Sequence, residues 1–297
     1  MRKKVTILSA MALCLGAAAF AEAQQAMLTP PKVLVIIREV LKPGKGPAHE
    51  KWETGWPRAF AKAKWPTNYL AVTAMTGEPR ALFFTGYDSL AAWESNNQAL
   101  EKNAALSAED QALGEKDGDY LKELQTGVFN YMPELSYQPD VPVAGVRYFL
   151  LAAFDVKQGH GDQFTAARKV ALAAHQKGGL GDHFSVYHRT AGGSTNLYLI
   201  FIPMKSLAEL DQFAAIHGAP YQAALGAEGQ KTLADLNSQD LVGTETQIFA
   251  FSPKMSYVSK AWVDSEPAFW APKPAPGAKS AAMSAEKPAA KKEAKKP

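Results

Sequence analysis

The residues best suited to chemistry cluster on one short stretch, His183-Phe184-Ser185-Val186-Tyr187-His188-Arg189-Thr190. Read as a strand, it places His183, Ser185, Tyr187 and Arg189 on one face and Phe184, Val186 and His188 on the other, because successive strand side chains alternate. An imidazole or a phenol on a pocket wall can exchange a proton with a bound molecule. His183, Tyr187 and His188 are therefore the candidate catalytic groups. Arg38, Tyr148, Ser185, Asn196 and Tyr198 interrupt or border apolar runs, and these are the candidate ligand contacts, since a pocket needs only a few polar groups among apolar walls. The competing reading is that these groups satisfy one another at a rim, because buried polar groups are normally hydrogen-bonded.

Other chemistries find less support. The chain has six histidines, and none forms a His-x-x-x-His pair with a nearby acid. His183 and His188, five apart on a strand, point to opposite faces. No metal site and no cofactor are expected. Lys42-Pro43-Gly44-Lys45-Gly46 and its echo Lys157-Gln158-Gly159-His160-Gly161 invite a phosphate-loop reading. The Gly-Lys-Ser/Thr ending such a loop requires is missing from both copies. Glycine for a tight strand-to-helix turn explains the pattern.

The elements that must carry these residues begin after a leader. Arg2, Lys3 and Lys4, an apolar segment over 5–20 and Ala21-Glu22-Ala23 make a secretory signal over residues 1–23. Cys14, the single cysteine, falls inside it, so thiol chemistry is excluded from the mature chain. The expected location is secreted or periplasmic. From 271 to 297 the composition turns to alanine, proline and lysine, which predicts a disordered tail. That tail could contact an anionic envelope surface, although a solvated spacer explains it as well. Removing both ends leaves a net negative charge on residues 24–270, which argues against nucleic acid as a partner.

The body of the chain reads as the same order twice. Apolar runs at 33–37 and 146–154 predict buried strands, and each ends at the glycine junction. Helices follow, the first carrying Trp52, Trp56 and Phe60 at helical spacing and an expected kink after Trp56 caused by Pro57. Paired strands are predicted at 68–76 with 80–87, and at 183–190 with 196–203. Second helices start at Ser89-Leu90-Ala91 and Ser206-Leu207-Ala208, and short final strands lie at 128–131 and 246–251. Pro133-x-x-Ser136-Tyr137 and Pro253-x-x-Ser256-Tyr257 close the two units at a nearly constant offset. An ordered set of such matches points to a tandem duplication. The predicted units are 24–139 and 140–270, each βαββαβ and ferredoxin-like.

A strand ending in Lys-x-Gly, an amphipathic helix, a two-stranded return and a Ser-Leu-Ala helix resemble the dimeric α+β barrel superfamily. That superfamily includes NIPSNAP-like and antibiotic-biosynthesis-monooxygenase-like domains. The resemblance rests on Leu41 to Lys45, Val156 to Gly159, Ser89 and Ser206. It implies an α+β fold in which two tandem ferredoxin-like repeats form a pseudo-dimeric barrel, as a monomer or as a homodimer. Haem enzymes of the superfamily use a helical histidine, and His175 would be that ligand if haem were bound. The resulting expectation is an exported small-molecule-binding protein or a cofactor-free oxygenase- or isomerase-like enzyme working inside the barrel. A non-catalytic envelope scaffold is the alternative.

Overall fold

The computed structural model describes residues 26–271, so the expected leader and all of the expected tail after its first residue lie outside it. The chain runs β1 (Met27–Leu28), β2 (Val33–Leu41), α1 (Gly46–Glu53), α2 (Gly55–Ala63), β3 (Tyr69–Ala74), β4 (Arg80–Tyr87), α3 (Leu90–Lys102), α4 (Ala104–Asp117) and β5 (Leu121–Tyr131). It continues with β6 (Val141–Pro142), β7 (Tyr148–Val156), α5 (Gly161–Gly178), β8 (Ser185–Ala191), β9 (Leu197–Met204), α6 (Ala208–Ile216), α7 (Ala219–Asp235), β10 (Leu241–Phe251), α8 (Lys260–Ser265) and α9 (Pro267–Trp270).

Eight strands close into an antiparallel barrel in the order β10-β3-β4-β2-β5-β8-β9-β7. The quartet β3-β4-β2-β5 and the quartet β8-β9-β7-β10 have the same internal order: second strand, third, first, fourth. The β10–β3 and β5–β8 pairings join the quartets, so the barrel closes within one chain. Full closure leaves no unpaired strand edge in the barrel wall. β1 pairs with β6 as a separate two-stranded strap.

Strand alternation divides the core. Leu34, Ile36, Leu70, Val72, Phe84, Phe149, Leu151, Phe201 and Phe249 fill the interior. Ala71, Ala81, Phe83 and Met255 form one of the clusters between sheet and helices. Phe164, Tyr198 and Leu236 belong to another.

The junctions are turns. Gly44 and Gly159 have φ of 75° and 84°, a region that favours glycine. Lys45 N donates to Lys42 O at 3.1 Å, and His160 N donates to Lys157 O at 3.0 Å, closing the same turn in both halves.

Several boundaries differ from the sequence expectation for physical reasons. The first helix breaks at Thr54, ahead of Trp56, and Pro57 sits in the first turn of α2, where no intrahelical donor is lost. β5 starts at Leu121 and β10 at Leu241, well before the apolar runs, because their polar starts pair with β2 and β7. Ser89 caps α3 by accepting from Ala92 N at 3.1 Å, whereas Ser206 provides no side-chain cap for α6.

Candidate functional site

One end of the barrel is open as a cavity of about 410 Å³, within the range of small-molecule sites. Its floor is an aromatic layer across the lumen. The Phe201 ring lies 5.4 Å from Phe84, 5.5 Å from Phe149 and 5.6 Å from Tyr187, mostly in the edge-to-face geometry such rings prefer. Leu34 and Leu70 extend the floor into walls. Met27, Leu28, Pro30 and Pro31 form one side of the mouth, and Val258, Ser259 and Trp262 form the other. A lining of this kind binds an apolar body and offers polar groups only at its edge.

Those polar groups come from Ser185 and Tyr187 on β8, with Asn68, Tyr87 and Asp88 at the rim. The Tyr187 hydroxyl donates to Pro31 O at 3.1 Å. Burial, and then Tyr131 nearby, push this phenol well above its ordinary value. It holds its proton at neutral pH and acts as a donor, not a base. Burial pushes Tyr87 up to about 12.

A segment after β10 caps the mouth. Trp270 packs against Phe251 and Trp262 at 6.1 Å and 5.5 Å. Glu266 accepts from Gly145 N at 2.8 Å and from Arg147 Nη1 at 3.0 Å, and pairs again with Arg147 Nη2. The Arg147 guanidinium also lies 3.9 Å above the Phe269 ring.

The other predicted residues are scattered by strand alternation. Arg38 and Arg189 face the lumen at the opposite end, which is a smaller cavity of about 200 Å³. There Arg38 donates to Glu123 at 2.8 Å, Arg80 to Glu245 at 3.0 Å and Arg189 to Ser194 O at 2.7 Å, so the arginines are already engaged. Tyr148 precedes the inward-facing Phe149 and points to the other side of the sheet. Tyr198 is buried under the helices, stacked 4.1 Å from Phe164 and 4.4 Å from His188. His188 Nε2 also meets Thr195 O at 2.6 Å. His183 lies before β8, half-buried, with Nδ1 2.8 Å from Gln138 O. Asn196 sits in the β8–β9 turn, its backbone N donating to Ser194 Oγ. Of the residues predicted for ligand or chemistry, Ser185 and Tyr187 line the large cavity.

His175 does not fit an axial haem ligand. Its Nδ1 is 2.7 Å from Ala171 O, and its Nε2 is 3.0 Å from Asp182 Oδ2 and 3.2 Å from His217 Nε2. Rings of Tyr137, Phe184 and Tyr221 surround it at 5.5, 5.1 and 4.9 Å. No porphyrin face can reach that nitrogen.

Sequence reasoning missed two buried clusters with metal-ligand chemistry: His175, Asp182 and His217 in the second half, and Glu39, His49, Glu53 and Asp117 in the first. The His49-x-x-x-Glu53 spacing was the available signal, since residues four apart share a helix face.

The chain matches no protein-family profile and no curated protein. Solved structures do resemble it. A candidate monooxygenase of Fusobacterium nucleatum aligns with a TM-score of 0.51 at 12% identity, over 75% of this chain and 93% of that one. An anthrone oxidase-like protein aligns with a TM-score of 0.51 at 12% identity, over 79% and 98%. A mutant chlorite dismutase of Candidatus Nitrospira defluvii reaches only 0.45 at 11% identity, over 80% and 96%. The first two likenesses establish a shared α+β barrel with ferredoxin-like sheets. At this identity they speak to fold alone.

Proposed function

We propose that this protein binds a small, flat, largely apolar molecule in the mouth of its barrel. The observation that carries the reading is the 410 Å³ cavity floored by Phe84, Phe149 and Phe201, at an end where the Ser185 hydroxyl lines the wall beside Tyr187, whose own proton goes to Pro31 O. A ring system carrying one oxygen acceptor suits that lining. Cofactor-free oxygenase or isomerase chemistry would need a base over the ligand. His183 and His188 lie away from the cavity, and Tyr187 keeps its proton, so binding is the better-supported activity. The tandem duplication belongs to the same reading, supported by the matching strand order of the two quartets, as does the narrower NIPSNAP-like likeness of the junctions. So does export, supported by the sequence of residues 1–23, which amino-terminal sequencing of envelope-fraction protein tests.

Anthrone and 1-naphthol are suitable probes, the first taken from the name of a protein of the same fold. Titration should quench tryptophan emission saturably, and Trp262→Phe should remove most of that signal. Ser185→Phe, which fills the mouth without emptying the core, should abolish binding. Binding unaffected by Ser185→Phe would refute the cavity as the site. Oxygen uptake in the presence of anthrone would move the reading from binding protein to oxygenase.

A further inference from the structure

The outer surface of the first sheet carries a feature that ligand binding in the lumen does not use. Glu39 on β2, His49 and Glu53 on α1 and Asp117 at the end of α4 converge between sheet and helices. Their side chains are 10%, 1%, 4% and 4% exposed. His49 Nε2 lies 2.8 Å from Glu39 Oε2, 3.7 Å from Asp117 Oδ1 and 3.8 Å from Glu53 Oε1. One atom from each of the four falls within 4.8 Å of every other.

The charges in this cluster do not cancel. Among the described residues, no lysine or arginine lies within ion-pair distance of Glu39, Glu53 or Asp117. Glu53 Oε1 and Asp117 Oδ1 are buried with no hydrogen-bond partner, and both are aimed at the imidazole. Uncompensated burial of a carboxylate is expensive.

The fold does not require such a cluster. Counting from Gly159 as from Gly44, the positions of Glu39, His49 and Glu53 in the second half hold Phe154, Phe164 and Arg168. There Phe154 packs on Phe164 at 5.6 Å in an apolar cluster that includes Leu236. An aromatic pair closes the same layer where the first half places a carboxylate and an imidazole.

We propose that Glu39, His49, Glu53 and Asp117 bind one divalent first-row transition ion, Mn²⁺, Fe²⁺ or Zn²⁺. Three carboxylates and one imidazole form a mixed oxygen–nitrogen donor set, which suits these ions better than Mg²⁺ or Ca²⁺. A dication offsets most of the buried negative charge and gives the orphaned oxygens a partner. Because the ligands come from a strand and two helices and are closed from solvent, the ion staples α1 and α4 onto β2. His175, Asp182 and His217 serve as an internal control. Their single carboxylate is faced by two imidazoles and lies in the field of the half-buried Arg168, so a dication there has no excess negative charge to offset.

The test uses full-length protein purified without added metal and analysed for its elements, then stripped with EDTA and titrated calorimetrically with Mn²⁺ and with Zn²⁺. One ion per chain and a raised unfolding midpoint are expected. Glu53→Gln and Asp117→Asn, near-isosteric and checked for fold by circular dichroism, should weaken binding by more than the about 10- to 100-fold typical of outer-shell partners. His175→Gln should bind as the wild type does. The proposal is overturned if the wild type binds neither ion, if both cluster variants bind as tightly as it does, or if His175→Gln alone loses binding.

Discussion

Replacing Glu266 by Gln should loosen the cap over the barrel mouth without unfolding the barrel. Glu266 accepts from Gly145 N and from both terminal nitrogens of Arg147, and both side chains are one-quarter exposed. Hydrogen bonds to charged groups contribute about 1.5–3 kcal/mol each, and partial exposure screens the ion pair. Glutamine keeps one acceptor but turns an amide toward the guanidinium. The net loss should be about 1–2 kcal/mol, a factor of about 5–30 in the open population of the cap. Hydrogen exchange at Trp262, Val263, Phe269 and Trp270 should quicken by that factor while β7 and β10 keep their protection. The pH dependence provides a second check. Hydrogen bonding and charge from Arg147 hold Glu266 below its ordinary value of 4.5. Its stabilisation is thus complete above that value and is lost as pH falls through the lower folded-state value. Wild-type cap exchange should approach that of the variant in acid, whereas the variant should lack this component. Equal exchange in the two proteins at pH 7 would show that the ion pair does not hold the cap.

Three further outcomes follow from the packing. Phe164→Ala empties a fully buried site stacked on Tyr198 and packed against Phe154 and should cost about 3–5 kcal/mol in denaturant unfolding. Tyr187→Phe leaves Pro31 O without its donor; it should lower stability by about 1 kcal/mol and weaken binding of a ligand whose hydroxyl can donate to the phenol oxygen more than that of a pure hydrocarbon. Gly44→Ala places a Cβ where nothing lies within 4 Å, so the loss seen by thermal unfolding should be the backbone penalty alone, about 1–2 kcal/mol.

Much of the architecture was legible because it is written locally. The β-branched run through Val35 and Ile36 needs only strand periodicity to be read, and Gly44 and Gly159 mark turns whose positive φ glycine adopts freely. Strand boundaries were less legible. Lys122, Glu123 and Gln125 resemble loop residues, yet β2 supplies a partner for their backbone and extends β5 over them. Proline position was misread for a related reason: Pro57 looked like a break, but the backbone turned at Thr54 and left it in a first turn, where it costs little.

The site divides along the same line. Alternation along the stretch 183–190 correctly grouped Ser185, Tyr187 and Arg189 on one face, since that depends on the chain alone. Which end of a closed barrel each would occupy depends on strand tilt and pairing, and this sent Tyr187 to the open mouth and Arg189 to the salt-bridged end. The sequence by itself determined two strand–turn–helix units of the same order, with apolar faces that must be covered. Only the tertiary structure brought Glu39, His49, Glu53 and Asp117 together, because convergence of side chains from a strand and two separate helices is a property of packing and leaves no local period to read.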